Sequence, residues 1–153
     1  MRSDGSAGRG PGPGVRIGVD VGSVRVGVAA SDPDGRLALP VETLARRGSI
    51  DALAGLVVER AAVEVVVGLP KTMAGGRGPA VAAIEAYAAE LAARIAPIPV
   101  RFVDERLTTA MASRSLSRSG RSTRTQRGVI DQAAAVLILQ GWLDRQARGP
   151  ATQ

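Results

Sequence analysis

The segment "VRIGVDVG" (15–22) alternates β-branched apolar residues with small or polar ones, the two-residue period of a strand. "VRVGVAAS" (24–31) repeats that period after a tight Gly22-Ser23 turn, so the two read as a hairpin. "DPDG" (32–35) is a turn signal, and "RLALPVETL" (36–44) is a third strand whose Pro40 suits a sheet edge. The spacing then shifts to that of a helix. Ser49 is the expected N-cap, with Ile50, Leu53, Leu56 and Val57 on one face. "VEVVVGLP" (63–70) is a nearly continuous apolar run, as in a central strand covered on both faces. Pro79 fits the first position of a helix striped by Ile84, Tyr87, Ala88, Leu91 and Ile95. "IPVRFVDE" (98–105) is the last strand. A polar helical segment over 108–119 stops at Gly120. "TRTQ" (123–126) has capping-box spacing and opens a final helix running to about Arg145.

This β-β-β-α-β-α-β-α-α order predicts an α/β fold, a mixed sheet led by an antiparallel hairpin and flanked by helices. Residues 1–14, rich in Gly, Pro and Ser, read as a flexible tail without the apolar core of a signal peptide. One domain is expected over 15–147, followed by a short tail over 148–153. No apolar run approaches the ~20 residues that span a bilayer, so no membrane association and a cytoplasmic location are expected.

Asp20 is out of place in this pattern. An isolated carboxylate in a buried hairpin loses its hydration, and something must offset that cost. Asp104 and Glu105 stand at the end of the last strand, and sites in open α/β sheets form beyond the carboxyl ends of strands. If the first and last strands are adjacent and parallel, these acids come within reach of Asp20. Asp131 lies two turns into the final helix. Its neighbours at helical spacing are Ala134, Ala135, Ile138 and Leu139, so it shares the face that packs on the sheet. On a strand Asp104 and Glu105 point to opposite faces, so one of the two is expected as a ligand.

Gathered carboxylates repel unless they share protons or bind a cation. The chain has no His and no Cys, which excludes His general bases, Ser-His-Asp triads, disulfides and thiolate or imidazole metal sites. Oxygen ligands alone favour Mg²⁺ or Mn²⁺, ions that accompany phosphoryl chemistry. Blander readings exist for each acid. Asp20 could bond backbone amides of the Gly22-Ser23 turn. Asp104 and Glu105 could form a solvated strand end paired with Arg101 or Arg106.

Net charge is +6, a surface that attracts polyanions, and Lys71 is the single lysine among 20 basic residues. No acidic residue occurs between Arg106 and Ile130, where Arg106, Arg114, Arg118, Arg121, Arg124 and Arg127 mix with Ser and Thr. Arginine and hydroxyl groups are the usual contacts to backbone phosphates. Thr108 and Thr109, Arg25 in the hairpin, and Lys71 in the Gly-rich loop "KTMAGGRG" join them as candidate phosphate contacts. A solvated basic loop is the alternative. Aromatic residues are limited to Tyr87, Phe102 and Trp142, which argues against reading bases by stacking.

Together, "IGVDVGSVRVGVAASD", "VVVGLPKTMAGG", "VRFVDERLTTAMA" and "VIDQAAAVLILQGWL" resemble the YqgF family, also called RuvX, over residues 15 to about 145. Its members are described as Holliday junction resolvases or as pre-16S rRNA nucleases. The resemblance implies an RNase H-like fold and divalent-metal-dependent phosphodiester cleavage that matures the 5′ end of 16S rRNA. It carries the catalytic acids over to Asp20, Glu105 and Asp131, with Asp104 in support. One departure is Ala74, where the family's loop often carries Asp.

The expectation is a hydrolase of nucleic acid, monomeric or homodimeric. Precursor rRNA, in or near the ribosome, is the expected substrate, and branched DNA is the alternative. Two rivals stand beside it. An actin-like or sugar-kinase ATPase half has a similar first hairpin but needs a second domain of like size. A non-catalytic ribosome-assembly module would bind nucleic acid without cutting it.

Overall fold

The computed structural model describes residues 13–70, 78–105 and 124–148, except for the side chains of 124–127. The strands are β1 (Val15–Val21), β2 (Arg25–Ser31), β3 (Ala38–Ala45), β4 (Ala62–Leu69) and β5 (Val100–Asp104). The helices are α1 (Ser49–Glu59), α2 (Pro79–Ile95) and α3 (Arg124–Ala147). Every element expected within the described residues is present. The polar helix expected over 108–119 and the capping Thr123 lie outside them.

The sheet order is β3-β2-β1-β4-β5. β1 pairs antiparallel with β2, and β2 with β3; β1 pairs parallel with β4, and β4 with β5. Pro40 does lie on an edge strand, where its missing N–H costs nothing. β4 lies inside the sheet and is buried on both faces, as its unbroken apolar run requires.

Two apolar layers sandwich this sheet. On one side Ile17, Val19, Val21, Val65, Val67 and Leu69 meet Leu53, Val57, Ile84 and Leu91 of α1 and α2. On the other, Ala29, Val66 and Val103 meet Ala134, Ala135, Ile138, Leu139 and Leu143 of α3. The α3 side is built from smaller sheet residues, so this helix lies close to the strands.

Two local expectations need correction. Gly22 N–H donates to the Arg25 carbonyl at 2.9 Å, so the hairpin loop is Ser23-Val24, one residue later than expected. Ser49 is the first residue of α1 rather than its cap. Gly48 holds the cap position at φ 81°, a left-handed conformation that glycine adopts without strain. The Ser49 hydroxyl is engaged elsewhere. It donates to the Arg46 carbonyl at 2.7 Å and meets the Tyr87 hydroxyl, which ties α1 to α2. Burial pushes the Tyr87 hydroxyl above its usual pKa, so it remains a donor.

Candidate active site

Strand alternation decides which face each acid occupies. Val19 and Val21 pack on α1 and α2, so Asp20 between them faces α3, with 2% exposure. Val103 packs on the α3 side, so Asp104 turns to the opposite face and is half-buried, while Glu105 turns toward α3 and is 1% exposed. A solvated strand end therefore does not describe Glu105. Asp131 projects from the first turns of α3, ahead of Ala134, Ala135, Ile138 and Leu139, all of which are fully buried.

The first and last strands, whose adjacency the sequence leaves open, are not neighbours: β4 runs between them. Two glycines close that gap. Val19 pairs with Val67, which sets Gly68 beside Asp20 in the parallel register. A Cβ on Gly68 would meet Glu105 Oε2 at 2.9 Å and Glu105 Cγ at 3.0 Å. Glu105 thus folds back from the end of β5 across β4, into space that any side chain at 68 would fill. On the other flank, Gly27 is the direct partner of Asp20 across the hairpin. A Cβ there would lie 2.1 Å from the Asp131 carbonyl oxygen and 3.2 Å from its Cβ. Neighbouring strands are ~4.8 Å apart, so the three acids form a row with Asp20 in the centre, each flank about one strand away.

Arg25 completes the row. Its Nε donates to Asp131 Oδ2 at 2.8 Å, in a pair with side chains 30% and 16% exposed. Asp20 Oδ1 and both Glu105 carboxylate oxygens are buried and accept no hydrogen bond from the described residues, although each residue has other polar or electrostatic contacts. Among the described residues, no three Asp or Glu side chains draw close enough to share one ion. The row is spread across three strands, and Arg25 holds one carboxylate oxygen at its end.

The donor set still suits a hard divalent cation, being oxygen only and drawn from three separate elements. Of the expected phosphate contacts, Arg25 lies in this row. Lys71, Arg106, Thr108, Thr109, Arg114, Arg118 and Arg121 lie outside the described residues, as does Ala74. Arg124 and Arg127 are on α3, with their side chains outside that description. Sequence reasoning missed the ion pair between Arg25 and Asp131, and also the clearance at Gly27 and Gly68. Glycine in a strand interior was the available signal, since it marks a close approach.

A family model described as "RuvX: Holliday junction resolvase" matches residues 14–145. The chain belongs to the RuvX family. Curated relatives named "Putative pre-16S rRNA nuclease" support the assignment. One from Rhodococcus opacus is 58% identical over 145 residues, covering 90% of this chain and 82% of the relative. One from Frankia casuarinae is 62% identical over 141 residues, covering 90% and 69%. One from Mycobacteroides abscessus is 54% identical over 142 residues, covering 90% and 86%. The fold is RNase H-like. RuvC of T. thermophilus, solved with a Holliday junction substrate, superposes with a TM-score of 0.53 at 14% identity, covering 90% of this RuvX chain and 99% of that one. RuvX membership places the chain among the hydrolytic nucleases. Among the described residues no helix is long and apolar enough to cross a membrane.

Proposed function

We propose that this chain is a divalent-metal-dependent nuclease that trims the 5′ end of precursor 16S rRNA, with Asp20, Glu105 and Asp131 as its catalytic acids. One observation carries the reading: three elements distant in sequence contribute a row of carboxylates on the α3 face, and the two flanking acids lie over glycines on either side of Asp20.

Asp20, on a central strand, would be the ligand common to both flanks. Glu105 with Asp20 on one flank, and Asp131 with Asp20 on the other, would hold Mg²⁺ or Mn²⁺, two acids to an ion. Such ions supply charge neutralisation at the attacking and leaving oxygens of phosphodiester hydrolysis. Asp104, on the opposite face, would not be a ligand. Arg25 engages Asp131 Oδ2, so the other carboxylate oxygen would be the one offered to an ion. Arg25 also places positive charge where a phosphate arrives. The enzyme works in the cytoplasm as a monomer or homodimer, on RNA in the assembling ribosome.

Cleavage of branched DNA is the second reading, favoured by the description of the matching family model. One experiment separates the two. A 16S precursor mimic and a four-way DNA junction are incubated with Mg²⁺, with Ca²⁺ and with chelator. Cleavage of the RNA in Mg²⁺ alone is expected. Cutting of the junction alone transfers the function to DNA, and cutting in chelator removes the metal from the proposal.

A further inference from the structure

We propose that a basic groove on the face opposite the acids, between the Ser23-Val24 loop, the β3–α1 junction and α2, binds the sugar-phosphate backbone of the same nucleic acid beyond the cleavage point. This rests on the nuclease reading and extends it, because that reading places nucleic acid on the α3 face only.

The groove is open to solvent and has a volume of about 1190 Å³. Arg46, Arg47 and Arg94 line it, against Asp51 and Glu90, so cations prevail. Its α2 wall presents Ala83, Ala86 and Ala93, whose short side chains let a polymer backbone lie close to the helix. A stacking platform for bases is missing, because Tyr87 is 6% exposed and is covered by Arg46, whose guanidinium carbon sits 5.2 Å from the ring centre. That combination suits phosphates rather than bases.

The three arginines differ in freedom. Arg46 is fixed: its guanidinium donates to the Gly22 carbonyl at 2.7 Å and stacks on Tyr87. Arg47 is exposed. Arg94 pairs with Asp51 at 3.3 Å, with both side chains well exposed, a contact that a phosphate can displace at little cost. Arg47 and Arg94 are therefore the contacts available to a ligand.

Position links the groove to the acids. Gly22, which Arg46 holds, follows Asp20 by two residues, roughly 7 Å along a strand. Beyond Val21 the chain leaves the end of the sheet and turns back through Ser23-Val24, which lines the groove. A backbone seated at Asp20 reaches the groove by bending over this turn. Val24, 66% exposed at the tip, is the ridge it crosses.

The test is fluorescence anisotropy of labelled RNA and of DNA of the same sequence, without divalent ions, from about 50 to 200 mM salt. Arg47→Ala and Arg94→Ala are each expected to weaken binding about threefold to tenfold and to lower the salt slope by about one. Asp51→Asn is expected to tighten it. Arg148→Ala, just past the far end of α3, is the control for net charge. Equal losses on RNA and DNA, or a loss on RNA alone, support the groove. Affinity and slope of the Arg47→Ala/Arg94→Ala double variant equal to those of the Arg148→Ala control overturn it. Failure of the nuclease reading would appear separately, as absent cleavage by a wild type that still binds through the groove.

Discussion

Arg25 and Asp131 are joined at 2.8 Å across 106 residues of sequence, one at the start of β2 and the other in the first turns of α3. The pair clamps the helix to the hairpin at the end of the sheet that carries the acids. It also decides the direction of the Asp131 carboxylate. Arg25→Ala is expected to release that side chain and lower cleavage at limiting Mg²⁺ by about tenfold to a hundredfold, the usual cost of losing a group that orients a metal ligand. Saturating Mg²⁺ should recover part of the loss. A Mg²⁺ titration of the cleavage rate checks this, and an unchanged curve would remove Arg25 from the site.

Asp20 is the acid for which a substitute is hardest to imagine, since both flanking acids are placed relative to it. Asp20→Asn keeps the shape and removes the charge. It is expected to abolish cleavage while leaving the fold and most RNA affinity intact. Turnover at the wild-type rate, in a preparation free of contaminating nuclease, would exclude Asp20 from the mechanism.

Gly27→Ala tests whether proximity of α3 matters. The added methyl would lie 2.1 Å from the Asp131 carbonyl oxygen, which is main chain and cannot rotate aside. Either the helix moves or the hairpin bends. Overpacking of this kind costs about 1–3 kcal/mol. The expected result is that loss of stability in urea denaturation, together with a larger loss of cleavage, because the shift carries Asp131 with it.

Asp32 provides a pH-dependent handle away from the acids. Its Oδ1 accepts from the Arg36 and Leu37 amides at 2.8 and 3.0 Å, closing the turn before β3. Those bonds, Leu37 first, hold its carboxyl below the usual aspartate range. A depressed folded pKa stabilises the turn above the unfolded value of about 3.9, and the contribution disappears as pH falls through the folded value. An NMR titration should find Asp32 protonating below free aspartate, and Asp32→Asn should flatten the acid limb of the stability curve. A carboxyl titrating at the free value would refute this.

The strands and helices were legible because each carries its own period. The α2 stripe from Ile84 to Ile95 is buried as spaced, and the apolar neighbours of Asp131 correctly put that acid on the sheet-facing side. Strand order was less accessible. Nothing in "IPVRFVDE" says which strand it joins, so adjacency of β1 and β5 stays open in the sequence, and β4 lies between them. Ser49 illustrates a second limit: its hydroxyl obeys tertiary contacts with Arg46 and Tyr87 rather than the local rule for caps. Side-chain pairing between distant residues, as in Arg25 with Asp131, leaves no periodic trace at all.

Glu64 belongs to the same α3-facing side of the sheet as Asp20, yet its chemistry is opposite. Its Oε2 accepts from Arg16 Nε and its Oε1 from Arg101 Nε, both at 3.1 Å. Glu64 and Arg16 are 10% and 7% exposed at their side chains, whereas Arg101 is 56% exposed. This acid is compensated by protein cations, near the start of β4, four residues before the glycine that Glu105 covers. Glu64→Ala takes from buried Arg16 the carboxylate paired with its Nε, and such losses cost about 3–5 kcal/mol. Arg101→Ala should cost under about 1 kcal/mol, because water already screens that arm. Replacing Arg16 and Glu64 together by leucine should restore most of the stability, since an apolar pair of similar size often matches a buried ion pair. Urea denaturation measures all three. If Glu64→Ala instead proves neutral in stability and abolishes cleavage, Glu64 belongs with the catalytic acids, and the division of this face into a structural and a chemical end is wrong.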